Sequence, residues 1–547
     1  MGKRKEQYGK YGKGQMASRE AEKNELFKAI GRIADDLRGS VDGWDFKQYV
    51  LGMLFYRYVS EKITSWVNKA EHESGNIEFD YADFSDAEAD DEGLKEELVR
   101  SIGFFILPKE LFCNVVQNAE KNEDLNMTLK AVFDHIEESA RGSQNEKNMK
   151  GLFDDLDVNS NKLGSSVAER NRNLVKLLRG IAEMNLGSFE DNTIDVFGDA
   201  YEFLMGMYAS NAGKSGGEYF TPQEVSELLT RITLVGKTEV NKVYDPACGS
   251  GSLLLKFAKI LGKDKVRQGF FGQEKNITTY NLCRINMFLH DIDYTRFDIG
   301  LGDTLTDPKH WDDEPFEAIV SNPPYSVKWV GKSNPLLMND PRFSPAGVLA
   351  PESKADMAFI MHCLAWLAAN GTAAIVCFPG IMYRSGAEKK IRRYLVEHNY
   401  VDCIIQLPDN LFYGTSIATN IMVLKKDKKD SSVFFIDASK EFIKVTNSNQ
   451  LTEENIEHIL ETFAEKEEKE YFAKAVSLEK IQEEDYNLSV STYVEQEDTR
   501  EKVDIVKLNA EIKEIVARED VLRKEIDKII AEIELPGVQE ADGDENS

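Results

Sequence analysis

The sequence predicts an α/β protein: a doubly wound, mainly parallel sheet, with an N-terminal helical domain before it and a C-terminal helical tail after it. Three observations carry this. Between about Asp191 and Lys428, short apolar runs alternate with helical segments, the pattern of a parallel sheet covered by helices on both faces. Up to about residue 190, apolar positions fall at helical spacing without strand alternation. The end of the chain is a long helical pattern rich in acid. The expected domains are a helical domain at 1–190, a catalytic α/β domain at 191–480 and a helical, acidic, partner-binding tail at 481–547.

In the first region, Glu25 to Ile63 reads as two amphipathic helices joined at Gly39 to Gly43, and the charged stretch His72 to Gly93 reads as a loop. In the second, "NKVYDPACGSG" is followed by "SLLLKFAKILG" and "QGFFGQE" by "KNITTYNLCRINMFLH". "FEAIVSNPPY" then precedes "DMAFIMHCLAWLAANG", "TAAIVCFPG", "EKKIRRYLVEHN", "VDCIIQLPD" and "NIMVLKK". In such sheets ligands bind beyond the carboxyl ends of the strands. In the third, Ile505, Leu508, Ile512, Ile515, Leu522, Ile526, Ile529 and Ile533 keep 3–4 spacing, with Glu519 interrupting once. That is a coiled-coil seam, expected to face a partner; packing on its own domain is the alternative.

The chain has 547 residues, 42% hydrophobic and 30% charged, with ample material for a core. Its longest apolar runs fall short of the roughly 20 residues a membrane helix needs, and no apolar segment follows the basic start, so neither membrane span nor signal peptide is expected. Six scattered cysteines without a CxxC pair suit reduced thiols in the cytoplasm and argue against zinc ribbons and disulfide frameworks; no metal site is expected. A net charge of -28 argues against self-sufficient nucleic-acid binding. Leu451 to Ser547 holds 29 acidic and 12 basic residues, so much of that acidity belongs to the C-terminal region. A DNA-facing surface elsewhere, and a basic partner, stay open.

"VYDPACGSGSLLL" reads as strand, glycine-rich turn and helix start. Gly249 and Gly251 let the backbone turn tightly and approach a ligand at the helix N-terminus. Leu254 occupies the third glycine position of the dinucleotide fingerprint, so the turn alone is equally an ordinary tight turn. The next strand ends at Glu274, placed to accept from ribose hydroxyls, and Asp303 sits in a further strand-end loop, where it could accept from an adenine amino group. Together these favour a bound nucleoside. Gly213-Lys214-Ser215 resembles the end of a phosphate-binding loop, but Tyr208 stands where its first glycine is required, which removes ATP hydrolysis.

"AIVSNPPYSV" ends an apolar strand in Asn322-Pro323-Pro324-Tyr325, where the prolines stiffen the exit from the sheet. An adenine amino group is a poor nucleophile because its lone pair is delocalised. Two acceptors, the Asn322 side-chain oxygen and the Pro323 carbonyl, would favour the tetrahedral cationic nitrogen formed as it attacks a methyl group. Tyr325 offers a face for an extracted base. Taken alone, the segment is equally a rigid loop with a satisfied Asn.

"DPACGSG" followed by "SNPPY" resembles the paired signatures of amino-group methyltransferases that use S-adenosylmethionine, and "GEYFTP" (Gly217 to Pro222) is similar to a further cofactor motif of DNA adenine-N6 methyltransferases of gamma order. Ala34 to Ser60, Lys354 to Leu364 and Leu407 to Lys426 resemble the modification subunit of type I restriction–modification systems. The resemblance implies a Rossmann-like S-adenosylmethionine-dependent methyltransferase fold. It implies that Glu218, Tyr219, Phe220, Thr221 and Pro222 line the methionine side of the cofactor, and that Asp245, Gly249, Ser250, Gly251 and Ser252 form the turn around it. Glu274 would hold the ribose, Asp303 the adenine, and Asn322, Pro323 and Tyr325 the target base. The implied reaction is direct transfer to N6 of a flipped adenine in duplex DNA. The implied partners are a DNA specificity subunit, with two copies of this chain for each, and a restriction/translocase subunit. The rivals are a protein glutamine-N5 or RNA methyltransferase and a degenerate binding subunit.

Overall fold

The structure, a computed structural model, describes residues 28–33, 43–186, 196–211, 221–412, 415–445, 448–497 and 505–533. The chain divides into two compact units, Met1–Glu495 and Gln496–Ser547.

The first unit opens with helices. The longest, α1 (Gly43–Glu73), buries Val50, Leu51, Leu54, Phe55, Tyr58 and Val59, apolar around much of its girth as a core helix must be. It is joined by α2 (Leu125–Ser139) and α3 (Val167–Ala182), whose buried Leu174, Leu177, Leu178 and Ile181 keep 3–4 spacing. The join proposed at Gly39 to Gly43 lies mostly outside the described residues. The charged stretch after α1 is largely irregular, with single turns at Tyr81–Asp83 and Asp86–Ala89.

After α4 (Val196–Asn211) and α5 (Gln223–Thr233) comes the sheet. Its strands and helices alternate: β1 (Val240–Asp245), α6 (Ser252–Leu261), β2 (Val266–Glu274), α7 (Ile277–Leu289), β3 (Phe297–Leu301), β4 (Phe316–Ser321), α8 (Asp356–Trp366) and β5 (Leu367–Cys377). Then follow α9 (Ala387–Glu397), β6 (Val401–Gln406), β7 (Asn420–Lys425), β8 (Val433–Asp437), the small pair β9 (Ile443–Val445) and β10 (Ser448–Gln450), α10 (Glu453–Glu465) and β11 (Ala473–Val476). The main sheet has the order β11-β8-β6-β7-β5-β4-β1-β2-β3. It is parallel except where β7 meets β5 and β6 and where β11 meets β8. Strands β1 and β4 are near-continuously buried, with Val243, Tyr244, Ala318, Ile319 and Val320 fully covered, as expected of parallel strands sandwiched between helices. The core continues to Val490, Tyr493 and Val494, where the Tyr493 ring lies 4.5 Å from that of Phe435 in β8.

The helical layer is bolted to the sheet through α7. Buried Arg284 donates to the carbonyls of Lys147 (2.9 Å), Asn148 (3.1 Å) and Lys150 (2.9 Å), and its guanidinium lies 4.2 Å from the Tyr280 ring. Asp155 accepts from Thr278 and Asn281 of the same helix, both at 3.0 Å. Each buried carbonyl left without its donor would cost about 1–3 kcal/mol.

The second unit contains α11 (Ile505–Ile533). The residues of the seam are exposed, from 44% at Leu508 to 76% at Ile533. No helix among the described residues is long and apolar enough to cross a membrane.

Candidate active site

Register brings the informative residues to one edge. Asp245 ends β1 opposite Gly272 of β2, and Glu274 ends β2 opposite Leu301 of β3. Ser321 ends β4, immediately before Asn322, and its hydroxyl donates to Asp245 at 3.0 Å. A cleft of ≈ 540 Å³ opens along this edge.

The β1 turn owes its shape to glycine. Gly249 (φ 53°) and Gly251 (φ 82°) both occupy the left-handed region that other residues enter only with strain. Gly251 caps α6, and a Cβ there would stand 2.8 Å from Cys283 Sγ. Asp245 accepts from the Ala247 N–H at 3.0 Å, while its buried Oδ2 has no partner. Burial pushes this carboxyl up to about 7 despite the bonds from Ala247 and Ser321. Ser250 and Ser252 share a hydroxyl contact of 3.0 Å, and the Ser250 carbonyl accepts from Asn286 at 2.8 Å.

Glu274 reaches back across the turn. One oxygen accepts from the Gly249 N–H (3.1 Å) and the other from Asn276 (2.7 Å), so each keeps a lone pair for another donor. Burial raises its pKa against these bonds. Asp303 accepts from the Leu305 N–H at 3.1 Å and pairs with Lys275 at 2.9 Å.

The β4 turn is held by side chains. Asn322 donates through Nδ2 to Thr221 Oγ1 (3.1 Å), and its Oδ1 accepts from the Tyr325 hydroxyl (2.7 Å). Burial pushes the Tyr325 phenol far above its ordinary range, so it remains a donor. Pro323 is buried and Pro324 exposed, and the Tyr325 ring is tilted 6.5 Å from that of Phe378.

Of the residues singled out from sequence, Thr221, Asp245, Gly249, Ser250, Ser252, Glu274, Asp303 and Asn322 line the cleft. Gly251, Pro222, Pro323 and Tyr325 are not among the lining residues; Pro222 caps α5, its carbonyl accepting from Ser226 at 2.9 Å. Glu218, Tyr219 and Phe220 lie outside the described residues, as does Gly213-Lys214-Ser215. Sequence reasoning missed Trp329 and Phe359, which also line the cleft. No local spacing marks them, because they reach it from a long connection and from α8. Asp298, His310 and Asp313 converge elsewhere. Both ring nitrogens of His310 are engaged there, by the Gly272 carbonyl and by Asp313, and Asp298 pairs with Lys147.

A doubly wound sheet with this turn after β1, an acid ending β2 and Asn-Pro-Pro-Tyr after β4, all at one cleft, goes with a family match that makes the chain an S-adenosylmethionine-dependent methyltransferase. Residues 192–502 match the N-6 DNA methylase family and residues 26–181 the HsdM N-terminal domain. The chain is 50% identical to the type I restriction enzyme MpnII methylase subunit of Mycoplasma pneumoniae, over 94% of this chain and 98% of that protein. It is 30% identical to the MjaVII methylase subunit of Methanocaldococcus jannaschii, over 94% of this chain and 84% of that protein. Among solved structures, it resembles the type I restriction-modification methyltransferase subunit of Streptococcus thermophilus with a TM-score of 0.76 and 35% identity, over 86% of this chain and 99% of that one. The chain belongs to the N-6 DNA methylase family, as a type I methylase subunit, and is an adenine-specific DNA methyltransferase.

Proposed function

We propose that the cleft transfers a methyl group to N6 of an adenine flipped out of duplex DNA, with the target base at Asn322 and the cofactor between the β1 turn, Glu274 and Asp303. The observation that carries this reading is the Asn322 amide, fixed by Thr221 and Tyr325 at the wall of the cleft that holds both acids. The residues suit the cofactor: Asp245 Oδ2 is a buried carboxyl oxygen with no partner beside the turn, and both Glu274 oxygens keep a free lone pair for ribose hydroxyls. S-adenosylmethionine, when bound, supplies a methyl group already activated by its sulfonium.

The chain's own part is to bind, orient and polarise. Asn322 Oδ1 has a second lone pair beyond the one Tyr325 uses, and it accepts from the adenine amino group together with the Pro323 carbonyl. Two fixed acceptors favour the cationic nitrogen of the transition state, an effect worth about 3 kcal/mol for each preorganised partner. Thr221 would extend the methionine side with Glu218, Tyr219, Phe220 and Pro222. The Tyr325 ring would meet the base face.

The division into a helical domain at 1–190, a catalytic domain at 191–480 and a tail at 481–547 assigns partner binding to the tail, whose α11 exposes an apolar seam. A net charge of -28 supports leaving sequence recognition to another chain. The reading is therefore two copies of this chain on one DNA specificity subunit in the cytoplasm, with a restriction subunit added in the full complex.

The test uses purified protein, labelled S-adenosylmethionine and a lysate from a strain lacking only this gene, which supplies the other subunits. Label is expected in DNA as N6-methyladenine. Asn322→Ala should lower transfer by at least about a thousandfold, with the cofactor dissociation constant within about twofold of the parent. Label in protein or RNA would transfer the cleft to the rival substrates, and normal turnover in Asn322→Ala would remove Asn322 from the reaction.

A further inference from the structure

The β4 turn contains a feature the reaction as described does not use. Ser326, directly after Asn-Pro-Pro-Tyr, has φ 51°. A serine held in the left-handed region is strained and persists only where its surroundings over-determine it. Ser326 has no glycine's freedom, so something outside the turn must hold it.

The restraint is Asp356, thirty residues on and the first residue of α8. The Ser326 N–H donates to both carboxylate oxygens of Asp356, at 3.1 Å each. Asp356 is itself 5% exposed, and its place in the first turn suits the positive end of the helix. The neighbouring backbone locks the same junction: the Ala355 N–H donates to the Val327 carbonyl and the Trp329 N–H to the Glu352 carbonyl, both at 2.9 Å. The turn is thus pinned at both ends, by Ser321 on Asp245 before Asn322 and by Ser326 on Asp356 after Tyr325. Only the second pin opposes strain.

We propose that Asp356 is a positioning residue: by holding Ser326 in its left-handed conformation, it sets the direction of the Asn322 and Pro323 acceptors without touching base or cofactor. The inference rests on the assignment of Asn322 and Pro323 to the target base. Small misplacements of reacting groups cost large factors in rate, so losing the pin should act on transfer at saturating cofactor and leave cofactor affinity alone.

The experiment measures transfer rate at saturating cofactor, cofactor dissociation constant and thermal midpoint for full-length variants, in the lysate assay above. Asp356→Ala should lower the rate by about a hundredfold with the dissociation constant within about twofold. Asp356→Asn keeps an acceptor oxygen and should stay within about fivefold of the parent. Ser326→Gly should restore at least about tenfold of the loss in Asp356→Ala, because glycine reaches positive φ without a restraint; a purely structural role for Asp356 would show no such rescue. If Asp356→Ala does not fold, Asp356→Leu, which fills the site without an acceptor, takes its place with the same expectations. A full rate in the Ala or Leu variant, or a loss that Ser326→Gly does not restore, overturns the proposal while Asn322→Ala stays inactive. An active Asn322→Ala would overturn the site assignment instead, and the inference with it.

Discussion

The turns after β1 and β4 lie side by side at one sheet edge, yet they reach their shapes by different means. The β1 turn is locally determined: Gly249 and Gly251 adopt positive φ because they lack a Cβ, and at Gly251 the Cys283 and Met287 side chains fill the space a Cβ would need. The β4 turn contains no glycine. Its two prolines stiffen the exit, and its strained Ser326 is held by a carboxylate on a helix thirty residues away. A binding turn can be written into seven consecutive residues. The β4 turn, proposed to aim dipoles at the reacting atom, draws its rigidity from the packed structure around it.

The largest test of this contrast is Gly251→Ala. The new Cβ meets both a disfavoured φ and a sulfur at 2.8 Å, and cofactor affinity should fall about a hundredfold or more, equal to about 2.7 kcal/mol. Adding Cys283→Ala should return part of that loss by removing the sulfur, leaving the cost of φ. Titration calorimetry reads both, and an unchanged affinity in the single variant would show that the turn tolerates what its geometry forbids.

Glu274→Ala should be smaller, because the Gly249 and Asn276 N–H groups it satisfies can turn to water in an open cleft. We expect about 10–30-fold weaker cofactor binding, with transfer at saturation close to the parent. If the dissociation constant does not move, Glu274 has no part in holding the ribose.

The last effect is on stability rather than binding and concerns Asp245, which joins the turns by accepting from Ala247 in one and Ser321 beside the other. Its pKa is raised from 3.8 to about 7 in the folded chain. Below 3.8 it is protonated folded or unfolded, and its contribution is intact. As pH rises from there to about 7 the unfolded chain ionises first, so stability falls by about 1.4 kcal/mol per pH unit until both states are charged. Asp245→Asn removes this dependence, and its thermal midpoint relative to the parent should rise between pH 5.5 and 7.5 in the cofactor-free protein. A flat difference across that range would mean that Asp245 is charged throughout.

Much of the fold was legible because its signals are local. The βα alternation, the strand ends at Asp245 and Glu274, and the proline exit at Asn322 follow from apolar runs broken by residues that cannot continue them. The insertion of β7 antiparallel between β5 and β6 was not legible, since strand order depends on which edges meet in three dimensions. The apolar segment read as continuing through Gly371 in fact changes from α8 to β5 at Leu367, because pairing with β4 overrides a continuous apolar run. Trp329 and Phe359 were equally hidden, as nothing in their neighbours says that they line the cleft.

By itself, the sequence determined the elements, the glycine turn and the chemical types gathered at the strand ends, because backbone freedom and apolar period are properties of short segments. Only the tertiary structure decided that Thr221 would hold the Asn322 amide and that Asp356 would hold Ser326. Those bonds join residues 101 and 30 positions apart. Their partners are chosen by how the sheet and α8 pack, which no short stretch of chain encodes.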